Sequence, residues 1–374
     1  MDFTDAAGYI RQHKNRVDAG AAMQRRIWEG GRTSAVPLHL WSDAGIKLPS
    51  FNTMETHYDS EKMLLNELNG AVSAVAGGMQ AVPSVRANMG CGIYPTLFGL
   101  KQSLFTDKMP WLLNHLDKET IAQMGPEDLN FSDEFKAGLE HMEYMAERLA
   151  GTGVRVYPLD LQGPYDTAHL VYGDDIFYDM FDDPGFIHHL MELSVQSIFM
   201  GFDECLKRIP NADTEISHYN CLVMPRSMGG LKISEDTSTL LSRDHIAEFV
   251  TPYTNKVLER YGGGYIHYCG KNPHLFDAVM DDMPKAFGIN LGNTDMHDMA
   301  AFLQTCAARG KVYYGSIIKL ENESNADYFK RIISNATLDG RTYLLASIWH
   351  SVKNGESLEE IAAAWNAAYC GSDC

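Results

Sequence analysis

The chain has 374 residues, 45% hydrophobic and 21% charged, with a net charge of −18. That balance suits a globular protein with a large core and excludes a wholly disordered chain. The negative charge, with no local cluster of Lys and Arg to offset it, argues against nucleic acid and anionic membranes as partners. No run is apolar for long enough to span a bilayer, and the opening MDFTDAAGYIRQHKNR lacks the apolar block of a secretory signal. Seven cysteines in such a chain read as reduced thiols, so a cytoplasmic protein is expected.

In chain order, residues 1–35 read as a helical extension. Then β-rich runs alternate with stretches of helical period. VPLHL (36–40) precedes a helix over 59–76, and AVPSV (81–85) precedes a long insertion (88–133) and a helix over 134–150. VRVYPLDL (154–161) leads to a helix over 183–207, and TEISHY (214–219) leads to a second insertion (220–241) and a helix over 242–261. YIHY (265–268), AFGINL (286–291), KVYYGSI (311–317) and TYLLAS (342–347) follow, with helices over 273–282, 295–309, 325–337 and 357–368. Start signals stand at Ser242, at Asn325 and at Ser357 with its Glu359 and Glu360. Eight strand and helix units predict an α/β fold, a (β/α)8 TIM barrel with both insertions on its rim and 1–374 as one domain. An open doubly wound sheet is the alternative, but no Gly-rich phosphate turn follows the first strand.

The barrel reading makes a second prediction: reactive side chains gather where strands end. His39 and Trp41 follow the first run, Arg86 and Asn88 the second, Asp160 and Gln162 the third. His218 and Asn220 follow the fourth, His267 and Cys269 the fifth, Asn290 the sixth, and His350 the eighth. In GYIHYCG, a strand would point His267 and Cys269 to the same face, giving half of a zinc site. His350 is the first choice for a third ligand, with Glu235, Asp236, Cys91 and His218 as the others; Cys370 and Cys374 belong to a fraying tail. Glu235 and Asp236 are poised between a structural cap and site carboxylates. The expected site has Asp236, His218 and Glu235 in proton handling, and His39, Trp41, Arg86, Asn88, Gln162 and Asn290 against substrate. The insertion at 88–133 is apolar and aromatic, with Tyr94, Phe98, Phe105 and Trp111, which suits an organic ligand.

The stretches HYDSEKMLLNEL, DLQGPYDTAHLVYGDD, FDDPGFIHHLMEL, ISEDTSTLLSRDHIAEFVTPY and IHYCGKNPHLFDAVM resemble the uroporphyrinogen decarboxylase superfamily, including its corrinoid-linked methyltransferase branch. The likeness runs from the first barrel helix to the eighth strand. The decarboxylases carry an Arg-Gln-Ala-Gly-Arg loop near the first strand, where this chain reads PLHLWSDAGIKLPSF, without those cations. The zinc branch carries a His-x-Cys pair after the fifth strand, matched by His267 and Cys269, and a cysteine after the eighth, where ASIWHSV leaves His350. The resemblance implies zinc, a corrinoid (methylcobalamin) on a partner protein, and methyl transfer to or from a small substrate, a methoxy compound, methylamine or thiol. A homodimer is a further expectation. Two alternatives stay open: a metal-free lyase of a small carboxylic acid, with Arg86 or Arg226 as carboxylate holder and Asp236 or His218 moving the proton; and a barrel that binds a ligand or corrinoid protein without chemistry.

Overall fold

The computed structural model describes residues 2–33, 35–219, 221–348 and 357–370. Two helices, α1 (Phe3–Gln12) and α2 (Lys14–Trp28), precede the first strand, β1 (Leu38–His39). The remaining strands that matter to the site are β2 (Ser84–Arg86), β3 (Arg155–Tyr157), β4 (Glu215–His218), β5 (Leu222–Pro225), β6 (Leu231–Ser234), β7 (Gly264–Tyr268), β8 (Ala286–Leu291), β9 (Val312–Gly315) and β10 (Leu344–Ser347).

Six of them form one parallel sheet in the order β1-β10-β9-β8-β7-β6. β2 and β3 form a second parallel pair, and a parallel bridge between Gln162 and Ser234 ties the segment after β3 to the end of β6. Parallel neighbours need long crossovers, which the helices supply. Their ends are written in the sequence. Ser132 accepts from the Phe135 N–H at the start of the helix Asp133–Arg148, whose Phe135, Leu139, Met142 and Met145 form one buried stripe. Ser242 caps its helix as expected, and Ser357 exchanges bonds with Glu360 in a capping box. The expected cap at Asn325 falls one residue earlier, on Ser324.

The two faces of the sheet serve different cores. Leu38, Ile233, Ile266, Ile289 and Leu344 pack against the helices in the main cluster. Tyr265, Val312, Tyr314 and Leu345, on the other face, pack with Ile27 and Trp28 of α2 and with Leu222 and Met224 of β5. Trp28 Nε1 donates to the Val223 carbonyl at 2.9 Å, and Gln24 both accepts from the Val223 N–H and donates to the Gln80 carbonyl. Truncating Trp28 to Ala is expected to cost ~3–5 kcal/mol.

One expectation is corrected here. TEISHY (214–219) does not join the parallel sheet. As β4 it pairs antiparallel with β5, from Glu215 opposite Pro225 to His218 opposite Leu222. The place beside β7 is taken by β6, with Leu231 opposite Gly264 and Ser234 opposite His267. Thus 220–241 is not simply a rim insertion: it carries the returning hairpin strand and a sheet strand. Two adjacent β-prone runs joined by a short turn pair with each other as a hairpin, and Cys221 takes the left-handed conformation in that turn (φ 59°). In the 88–133 insertion, Tyr94 and Phe98 are buried, Tyr94 edge-on to Phe135 at 5.5 Å, so they serve the core; Trp111 is exposed.

Candidate metal centre

Three donors converge at the ends of β6 and β7. Asp236, His267 and Cys269 offer ligand atoms within 4.8 Å of one another. His267 Nε2 lies 3.6 Å from Cys269 Sγ and 3.6 Å from Asp236 Oδ1. Ligands of one tetrahedral zinc, with Zn–N near ~2.0 Å and Zn–S near ~2.3 Å, stand about 3.5 Å apart, so His267 is already at working separation from both other donors. A His, a thiol and a carboxylate are a donor set that fits zinc, and a group of three leaves a fourth position for substrate.

The ring of His267 is fixed from behind. Asn290 Nδ2 donates to the Tyr314 carbonyl at 2.5 Å, which turns the amide oxygen toward His267 Nδ1, also at 2.5 Å. That oxygen can only accept, so Nδ1 carries the proton and the Nε2 lone pair faces Cys269 and Asp236. Gly315 makes room for this arrangement: its φ of 132° disfavours any side chain, and a Cβ there would lie 2.2 Å from Asn290 Nδ2. Gly292 does the same for the thiol, since a Cβ would meet Cys269 Sγ at 2.4 Å.

Asp236 is aimed by its neighbours. Its Oδ1 accepts the Cys269 N–H at 2.6 Å, while buried Asp166 accepts the N–H groups of Asp236 and Thr237 at 2.7 and 2.8 Å. Burial, then the Asp236 charge, pushes the Asp166 carboxyl up to about 7. Glu235 points away: fully buried, it accepts from Thr254 at 2.7 Å and Ser238 at 2.9 Å, and burial holds its carboxyl well above the ordinary range. Of Glu235 and Asp236, expected either as structural caps or as site carboxylates, the structure buries Glu235 against Ser238 and Thr254 and brings only Asp236 to the other donors.

Burial and the Asp236 carboxylate push the Cys269 thiol up to about 11, and burial followed by the Lys232 ammonium lowers His267. The centre therefore stores its proton on sulfur and keeps its imidazole neutral, ready to ligate.

The other expected residues are distributed as follows. His218, on β4, is buried and donates through Nε2 to the Gly230 carbonyl at 2.9 Å; burial drives it down to about 3, which suits a structural imidazole better than a proton carrier. Buried His39 meets Gln24 at 3.2 Å and stands edge-on to Trp41. Gln162 is buried at the bridge to Ser234. Arg86 is committed to Asp160 at 2.6 Å and lies 5.8 Å over the Tyr219 ring, while its N–H donates to Glu67. Arg226 is spent on the Gly229 and Tyr261 carbonyls. Asn88 is half-buried, and its Oδ1 has no partner among the described residues. A cavity of about 400 Å³ opens nearby, lined by Trp41, Glu67, Ser84, Tyr157, Tyr219 and Cys221. Cys91 lies outside the three-donor group, its thiol pushed up to about 11 by burial. His350, Asn220 and Cys374 lie outside the described residues. Asp166 and Lys232 carry no local signal of a place near the donors and were not expected there: Asp166 is simply an acid in the first turn of the helix after Gln162-Gly163, and only the fold brings it to the Asp236 and Thr237 N–H groups.

No protein-family model matches the sequence, and no curated protein matches it. The fold is shared with a solved structure, a methyltransferase from Methanosarcina mazei, at a TM-score of 0.61 over 95% of this chain and 99% of that one, with 14% sequence identity. No helix among the described residues is long and apolar enough to cross a membrane.

Proposed function

We propose that this chain is a zinc-dependent methyltransferase of the uroporphyrinogen decarboxylase superfamily, moving a methyl group between a small substrate and a corrinoid held by a separate protein. The observation that carries the reading is the convergence of Asp236, His267 and Cys269 with the His267 lone pair already turned toward the other two. The fold shared with a methyltransferase supports it. In this reading the eight parallel strands β1, β2, β3 and β6 to β10 close into one (β/α)8 barrel, single-domain and cytoplasmic, with the centre at its C-terminal rim.

Asp236, His267 and Cys269 would hold the metal, with Asp236 in the place expected of His350. Zinc there supplies Lewis acidity, lowering the pKa of a thiol or weakening a methyl–heteroatom bond in an ether or amine. The chain's own residues do the rest. Asn290 holds the Nδ1 proton so that the Nε2 lone pair stays free to ligate, Asp166 fixes the loop that presents Asp236, and Cys269 would ligate as the thiolate, its proton passing to solvent. Exposed apolar side chains on the loops beyond β2, β6, β8 and β9, among them Trp111, Leu240, Met296, Ile318 and Leu320, suit the docking of a corrinoid protein on this edge.

Elemental analysis of the native protein beside Cys269→Ser and Asp236→Ala tests the reading. Near-stoichiometric zinc, lost in both variants, is expected, together with methyl exchange between methylcobalamin and small thiols, or from methoxy compounds and methylamines to cob(I)alamin. A metal-free native protein would sink it.

A further inference from the structure

β6 carries one cation, Lys232, whose placement the metal centre does not explain. The ladder sets Lys232 opposite Tyr265 and Ser234 opposite His267. With a period of two along each strand, Lys232 therefore shares the face of Tyr265 and His267, the face lined further along by Tyr314 and Leu345. Lys232 is half-buried, and among the described residues its ammonium has no hydrogen bond and no ion pair.

Several other cations near strand ends are spent inside the protein. Arg86 is paired with Asp160, Arg155 and Arg25 with Glu215, and Lys311 with the Met283 and Ala286 carbonyls. An ammonium has three donors and no acceptor, and those of Lys232 are not engaged by any described residue. Lys232 stands two residues before Ser234, the strand partner of the donor His267, so its side chain and that of His267 lie on one face of adjacent strands. An anionic group entering the same face would find this cation waiting, with the Asp236 carboxylate already engaged by the Cys269 N–H.

Building on the proposed metal centre, we infer that Lys232 holds the carboxylate of a small substrate whose sulfur, oxygen or nitrogen reaches Asp236, His267 and Cys269. The substrate class is thereby narrowed to carboxylate-bearing thiols, ethers or amines. Lys232 acts as a substrate-positioning and specificity residue.

The test uses the full chain loaded with cobalt(II), whose absorption reports thiolate binding, and two thiols of similar size, mercaptoacetate and 2-mercaptoethanol. The native protein is expected to bind mercaptoacetate at least ~10-fold more tightly, in keeping with one charge-assisted contact. Lys232→Met is expected to erase that preference while leaving 2-mercaptoethanol binding unchanged, and Lys232→Arg to restore part of it. A preference that survives in Lys232→Met, or an equal loss for both thiols, overturns the proposal. Should the native protein take up no metal, the methyltransferase reading fails by itself. Calorimetric titration of the metal-free chain with mercaptoacetate then decides: binding lost in Lys232→Met upholds the anion subsite, and equal or absent binding removes it.

Discussion

Two charged corners lie at strand ends in this molecule, and they have opposite characters. At the ends of β2 and β3, Arg86 and Asp160 meet at 2.6 Å, with side chains 19% and 14% exposed, so each charge is answered inside the protein. At the ends of β6 and β7, a thiol, an imidazole and a carboxylate face one another with no internal cation bonded to them, and the nearby Lys232 has no partner among the described residues. Both corners are rich in the residue types that suggest chemistry. Only the second has unspent valence, and that separates a structural ion pair from a binding centre.

The comparison breaks most sharply under Cys269→Ala. Removing one of three donors is expected to weaken zinc binding roughly a thousandfold, out of the ~10–16 kcal/mol typical of small zinc sites; chelator competition would read it, and unchanged affinity would place the metal elsewhere. Next in size, Asp160→Asn strands the Arg86 cation and is expected to lower unfolding stability by ~3–5 kcal/mol while zinc affinity holds. Chemical denaturation beside metal titration separates the two effects, and the double change Arg86→Met with Asp160→Leu should recover most of the loss. Asn290→Ala, which frees the His267 ring, is expected to cost ~10–100-fold in metal affinity with a minor change in stability; a loss below twofold would show that Asn290 does not set the tautomer. The mildest is a pH effect. Because the Cys269 thiol is pushed up to about 11, metal entry expels its proton, so apparent affinity should rise about tenfold per pH unit between 7 and 9 and flatten in Cys269→Ala.

The pattern of strands and helices was readable because period and capping are local: Ser242, Ser357 and the stripe in Asp133–Arg148 all announce themselves within a turn or two. His267 and Cys269 were readable for the same reason, as neighbours two apart on one strand. The place of β6 was not. LKIS is four residues long and includes a lysine, whereas TEISHY looks the better strand, and only pairing with β7 decides between them. Glu235 and Asp236 differ by one residue along the chain, yet backbone direction sends one to Thr254 and the other to Cys269. Such choices belong to tertiary contacts that no local pattern encodes.

The bonds from α2 to the β4–β5 hairpin also constrain how this chain is made. Gln24 and Val223 are 199 residues apart, and Trp365 reaches the Val36 carbonyl across 329. During synthesis α2 emerges long before the hairpin that must receive Gln24 and Trp28, leaving an apolar stripe waiting for a partner yet to be translated. High sequence separation of this kind slows folding and prolongs the exposure of sticky surface. Helix α2 thus keeps its apolar face uncovered until the hairpin has followed it out of the ribosome.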